Sequence, residues 1–297
     1  RDLFLAHKMP KTGTIPAGIY RVPGTGYGSL KEMEGKMSRL GIQMYTLRKT
    51  MDTKKNVFET LKRVAEMGYT SVQITTLGFM SYEEVGEMLQ ENGLSADSAM
   101  ISVYQIPDKL DEAKRQEEIF GTEVVRTDSI AKEQSRNLGG FHDFAAHLNR
   151  CGKLLAERGL KFLYHFHAFE FINFEKETGM DILLRETDPE YVMFQPDVFW
   201  LAAAGKEPSD ALMLFRGRAE YMHLKAYSIA ARGEGALENV DRISSPVGTG
   251  NLNWPAIIKT AHEIGITNFV AEDDMGILDP FESAKISFEN MKKMGFL

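Results

Sequence analysis

Glu157-Arg158-Gly159-Leu160-Lys161-Phe162-Leu163-Tyr164-His165-Phe166 holds, in ten residues, the joint from which the whole chain is built. A helical pattern runs out at Glu157-Arg158, and a glycine follows that accepts the left-handed backbone a helix exit requires. An apolar residue then leads into a short run of strand formers. The same phrase returns as Glu66-Met67-Gly68-Tyr69, Glu91-Asn92-Gly93-Leu94 and Glu263-Ile264-Gly265-Ile266. Four occurrences predict one β-then-α unit used repeatedly, and therefore a parallel sheet.

Outward from that joint, strands are expected at Leu40 to Tyr45, Ser71 to Thr75, Ser95 to Ile101, Glu123 to Thr127, Lys161 to Phe166, Tyr191 to Gln195, Tyr221 to Lys225 and Asn268 to Ala271. Between them lie amphipathic stretches such as Asn56 to Met67, with Val57, Leu61, Val64 and Ala65 on one face, and Glu83 to Asn92. Eight such units in one chain favour closure into a single (β/α)8 barrel over an open doubly wound sheet. The barrel is expected to occupy residues 38–297. Residues 1–37, punctuated by Met9-Pro10-Lys11-Thr12-Gly13 and Pro23-Gly24-Thr25-Gly26-Tyr27-Gly28, read as an extended N-terminal arm.

Composition narrows the function classes. A net charge of −7 is wrong for a groove that must neutralise nucleic-acid phosphates. No run approaches the roughly 18 apolar residues of a membrane span, and the start lacks the apolar core of a secretory signal. The lone cysteine, Cys151, sits in a helical pattern, reads as packing, and cannot form an internal disulfide; a reducing, cytoplasmic compartment is expected.

In a barrel of this kind chemistry belongs at the C-terminal strand ends. Strand five ends in Tyr164-His165-Phe166-His167-Ala168-Phe169-Glu170-Phe171, strand six runs into Pro196-Asp197-Val198-Phe199-Trp200, strand seven gives His223-Leu224-Lys225 and strand eight ends in Glu272-Asp273-Asp274. Oxygen and imidazole donors without thiolate suit Mn²⁺ first, and also Mg²⁺, Co²⁺, Fe²⁺ or Zn²⁺. Period-2 alternation puts His165 and His167 on one face and Tyr164 and Phe166 on the other. The large apolar pair fits the strand–helix layer, so the histidines are expected in the barrel mouth.

These residues resemble the xylose isomerase-like barrel proteins, the sugar phosphate isomerases and epimerases related to the endonuclease IV barrel. The resemblance rests on Leu40-Gly41-Ile42-Gln43-Met44-Tyr45-Thr46-Leu47-Arg48, on Tyr164 through Phe171, on Asp197 through Gly205, on His223-Leu224-Lys225, on Gly248-Thr249-Gly250 with Trp254-Pro255, and on Glu272-Asp273 with Asp279-Pro280. It implies a divalent ion held by Asp197, His223 and Glu272, with Glu170 preferred as fourth ligand over His165. Family epimerases place a glutamate where this chain has His165, often a glutamate where it has Gln73, and commonly an aspartate where it has Ala226.

Two enzymatic readings follow, and a third without turnover. In the first, a sugar isomerase or epimerase removes a C–H proton beside a carbonyl, with Glu272, His165 or His167 moving the proton and Lys225 steadying the enediolate. In the second, a lyase removes the same proton from a 3-keto-glycoside and expels the aglycone, as relatives that resemble C-glycoside deglycosidase subunits do. The third is a sugar-binding module. Gln43, Tyr45 and Trp200 are expected to contact the substrate, a small carbohydrate or glycoside. An oligomer is expected, and the arm could contact a small partner subunit.

Overall fold

The computed structural model describes residues 39–75, 77–231 and 240–296. The arm expected over residues 1–37 lies outside the described residues. Eight parallel strands form the wall: β1 Arg39–Gln43, β2 Ser71–Gln73, β3 in two pieces, Ser95–Ala96 and Ala99–Met100, β4 Val124–Asp128, β5 Lys161–His165, β6 Met193–Gln195, β7 Tyr221–Leu224 and β8 Asn268–Ala271. Each pairs with the next, β8 returns to β1 through Gly41↔Val270, and β6 meets β7 through the parallel bridge Asp197↔His223. The ring is closed, as the repeated joint predicted.

Helices α1 Lys54–Met67, α2 Tyr82–Glu91, α3 Leu110–Phe120, α4 Leu138–Ala156, α5 Gly179–Glu186, α6 Val198–Ala203, α7 Pro208–Leu212, α8 Trp254–Glu263 and α9 Pro280–Lys293 follow the strands. Their limits are set by local chemistry. Ser81 and Glu84 form a reciprocal capping box at the start of α2, and Thr178 with Asp181 does the same for α5. At the four joints Gly68, Gly93, Gly159 and Gly265 all adopt positive φ, 105° at Gly68, a region that costs a side chain steric strain.

Period 2 divides each strand between two environments. Phe162, Tyr164 and Phe166 point out into the helix layer and are fully buried there, each worth roughly 2–3 kcal/mol of apolar burial. The intervening Leu163 joins Val124 and Tyr221 in a separate apolar plug, with Met193 packed on it, which fills the lower barrel. One step up each strand the inward residues become polar: Arg126, His165, Gln195 and His223.

Two local differences from the sequence reading have physical causes. The first strand stops at Gln43 instead of Tyr45, because the Gln43 side chain accepts from Tyr45 N (3.2 Å) and opens a 3₁₀ turn over Met44–Thr50. Beyond the expected strand at Tyr221 to Lys225, the segment that follows forms an antiparallel hairpin, Ala226–Ala231 against Val240–Ser245, which the sequence reading did not include.

Candidate metal centre

Four inward side chains at the mouth come together: His165 from β5, Asp197 just past β6, His223 from β7 and Glu272 just past β8. All are buried, and one ligand atom from each lies within 4.8 Å of the others. Their convergence follows from the register. His165 is opposite Gln195, two residues before Asp197; Asp197 is bridged to His223; and Glu272 N donates to Leu224 O (3.0 Å) beside it.

Three of the four side chains are held from behind. Asp197 is the N-cap of α6, its Oδ1 accepting from Phe199 N (2.8 Å) and Trp200 N (3.3 Å), which leaves Oδ2 for the centre. Nε2 of His223 meets Gln73 Oε1 at 2.6 Å, so that nitrogen carries the proton and Nδ1 faces the carboxylates, 3.1 Å from Glu272 Oε2 and 3.7 Å from Asp197 Oδ2. Nδ1 of His165 lies 3.4 Å from Gln195 O.

Asp197 Oδ2, His223 Nδ1 and Glu272 Oε2 are all buried without a hydrogen-bond partner. Buried polar atoms are seldom left unpaired, and three facing each other need a common partner. A divalent cation meets that need: donors about 2.1 Å from one ion stand about 3–4 Å apart, so the observed cluster requires only small inward shifts. The residues present fit such an ion.

The electrostatics agree. Burial opposes charge on His223, yet the Glu272 and Asp197 carboxylates outweigh it and push its titration up to about 9. Burial likewise resists ionisation of Glu272, but Lys225 and His223 overcome it and hold the carboxyl well below its usual range. Burial raises Asp197. Nδ1 thus faces two carboxylates that favour positive charge there, whether a proton or a divalent cation supplies it. His165 is driven well below the usual imidazole range by burial and by His223, so it stays neutral and able to ligate.

Around the centre, Lys225 Nζ lies 2.6 Å from Asp274 Oδ1 and 4.0 Å from Glu272 Oε1. Burial works against its charge, but Glu272, Asp197 and Asp274 together raise its titration. The ammonium also sits over the ring of Trp200, 5.0 Å from its centroid. His167 packs against Trp200 (5.1 Å between centroids) and against His165 (4.8 Å), is lowered by burial, and leaves Nδ1 unpaired.

The expectation of Glu170 as fourth ligand is corrected. Its carboxylate accepts from the Tyr164 hydroxyl at Oε1 and from His167 N at Oε2 (3.0 Å). Tyr164 alternates with His165 and faces the helix layer, so Glu170 folds toward the outside of the wall and His165 joins the cluster instead. Gln43 is buried, with its amide engaged by Tyr45 N and Gln73, below the open mouth, while Tyr45 lies exposed at the rim. The sequence reading missed Arg126, ion-paired to Asp128, and the supporting Gln195, and it gave Asp274 no role. The period-2 alternation along β4 and β6 was a signal for Arg126 and Gln195.

A family model described as xylose isomerase-like TIM barrel matches residues 61–293. An inosose dehydratase of Geobacillus thermodenitrificans is 29% identical over 147 residues, 46% of this chain and 49% of that protein; the chain thus spans about half the length of this curated relative. The inosose dehydratase of Clostridium beijerinckii is 24% identical over 277 residues, 82% of this chain and 92% of the relative. A solved sugar phosphate isomerase/epimerase from Parabacteroides distasonis superposes with a TM-score of 0.71 at 21% identity, covering 89% of this chain and 96% of its own. The IOLI protein with a bound zinc atom superposes at 0.64 and 14% identity, over 86% of this chain and 97% of its own. A Mycobacterium smegmatis barrel in complex with magnesium does so at 0.63 and 18% identity, over 86% and 95%. No helix among the described residues is long and apolar enough to cross a membrane.

Proposed function

We propose that this chain, which belongs to the xylose isomerase-like TIM barrel family, is a divalent-metal enzyme that carries out β-elimination on a keto-sugar or keto-cyclitol. The observation that carries this reading is His165 within the ligand cluster. An epimerase of this type uses one carboxylate on each face of the reacting carbon; here an imidazole stands at the end of β5, and one of the two bases is missing. Removal of a single proton followed by departure of a leaving group needs only one. Relatives named inosose dehydratase support the same reaction type.

Asp197, His223, Glu272 and His165 would hold the ion, with Mn²⁺ the best fit to two carboxylates and two imidazoles, ahead of Mg²⁺, Co²⁺, Fe²⁺ or Zn²⁺. When bound, the ion draws electron density from the substrate carbonyl and acidifies the neighbouring C–H. His167, neutral and with Nδ1 unpaired, accepts that proton. Lys225, kept charged by Asp274 and Glu272, stabilises negative charge on the carbonyl oxygen. The electron pair of the broken C–H bond forms the new C=C bond, and the C–O bond at the next carbon breaks. Proton return from His167 releases water or an alcohol. Trp200 supplies a flat wall beside His167.

A second reading, isomerisation or epimerisation, shares the first half of this path. It is favoured by the presence of both His167 and Glu272 at the mouth, where the proton could be returned to carbon. The two separate cleanly. The Mn²⁺-loaded protein is incubated in D₂O with inosose, with a free ketose and with a 3-keto-glycoside, and products are followed by NMR. Loss of water or aglycone supports elimination, whereas deuterium at the carbon beside an intact ketone supports isomerisation. Wild-type protein that binds no divalent ion, or activity that survives Asp197→Ala, sinks both.

A further inference from the structure

Beneath the cluster, three glutamines from three strands are joined through the barrel interior. Gln43 Nε2 of β1 donates to Gln73 Oε1 of β2 (2.9 Å), and Gln73 Nε2 donates to Gln195 Oε1 of β6 (3.3 Å). All three are buried, at 3%, 0% and 0% exposure. Gln73 Oε1 also receives His223 Nε2 at 2.6 Å, and the backbone oxygen of Gln195 faces His165 Nδ1. One amide in the middle of the barrel therefore stands behind one candidate ligand directly and reaches the next strand's support for another.

We propose that Gln73 is a positioning residue that fixes the tautomer of His223, keeping the proton on Nε2 so that Nδ1 presents its lone pair to the cation. The inference rests on the metal-centre reading of the site. An imidazole free to choose would place its hydrogen on Nδ1, beside two carboxylates that attract it. Gln73 opposes that choice by offering an oxygen to Nε2. Its own orientation is set from both sides: Gln43 donates to its oxygen and Gln195 accepts from its nitrogen, so a flipped amide would put NH₂ against two donors and oxygen against an acceptor. The setting is thus built from three buried side chains of the barrel interior.

The test uses Zn²⁺ affinity, measured by competition with a chromophoric chelator, and ¹⁵N NMR of histidine-labelled protein. Gln73→Met keeps the volume and removes the acceptor; Gln73→Glu restores an acceptor oxygen and controls for folding. Gln73→Met is expected to weaken Zn²⁺ binding about 10- to 100-fold, with Gln73→Glu at or above wild-type affinity. At pH 10, without metal, the wild-type His223 ring is expected as the Nε2–H form, and Gln73→Met loses that preference. Equal affinity in wild type and Gln73→Met, or a folded Gln73→Glu as weak as Gln73→Met, overturns the proposal. If wild-type protein binds no Zn²⁺ at all, the metal-centre reading fails, and the NMR comparison still decides the role of Gln73.

Discussion

Lys225, just past β7, pairs with Asp274, just past the neighbouring β8, Nζ to Oδ1 in 2.6 Å, and this contact holds a buried ammonium 4.0 Å from Glu272 Oε1. A cation so placed is worth most where negative charge develops during reaction. Lys225→Met is therefore expected to lower kcat by about 10²- to 10³-fold while metal content stays stoichiometric. Steady-state kinetics beside elemental analysis checks both halves. Unchanged turnover would leave Lys225 with a packing role alone.

Asp197 serves two structures at once, capping α6 with one oxygen and facing the cluster with the other. Asp197→Asn keeps a cap oxygen, so thermal stability is expected to move by no more than about 1 kcal/mol. Without the charge, metal should be lost on dialysis. Asp197→Ala is expected to lose both. Melting curves and elemental analysis of the two variants separate the roles.

Glu170 offers a pH prediction and a check on ligand assignment together. Burial lifts its carboxyl from 4.5 to about 8, against the hydrogen bonds from Tyr164 and His167 N. The folded protein thus binds a proton that the unfolded chain releases above pH 4.5. Its stabilisation is complete below that pH and is lost as pH rises through about 8, on the order of 3–5 kcal/mol in all. Asp97, lifted to about 7 by burial, slopes the same way, so the informative quantity is the difference between proteins. Denaturant midpoints at pH 5 and pH 9 should differ less in Glu170→Gln than in wild type, and Glu170→Gln should keep its metal. A variant that loses metal would restore Glu170 as a ligand.

Inside the lower barrel Gly41 makes room for Asp97. A Cβ there would lie 2.2 Å from Asp97 Oδ2 and 2.8 Å from Ser71 Oγ. Gly41→Ala is expected to cost about 1–3 kcal/mol through overpacking. With Asp97→Ala in the same chain the obstruction goes, so the pair should cost less than the sum of the two; chemical denaturation of the double-mutant cycle measures the coupling. Strict additivity would argue that the two positions do not touch.

How far the sequence alone reaches is clearest from residue 159 to residue 170. Gly159 and the strand after it were legible because a helix exit and a period-2 run depend on neighbours in the chain. The inward turn of His165 and His167 followed from the same period. Glu170 was misread because its direction is set by a 3₁₀ turn over Phe169–Phe171 and by the Tyr164 hydroxyl, neither of which leaves a pattern in the sequence. Gln73 looked like a departure from a family glutamate, and only the closed barrel reveals that its partners are residues 30, 122 and 150 positions away.

The join between β6 and β7 is the narrowest in the wall: one bridge, Asp197↔His223, against four register pairs between β7 and β8. Two candidate ligands are thus also the stitch that closes the ring. Whatever fastens them from the mouth acts as a rivet on the cylinder, so arming the enzyme and tightening its scaffold become one event. If the proposed cation seats between them, its removal is expected to loosen the wall at this seam first.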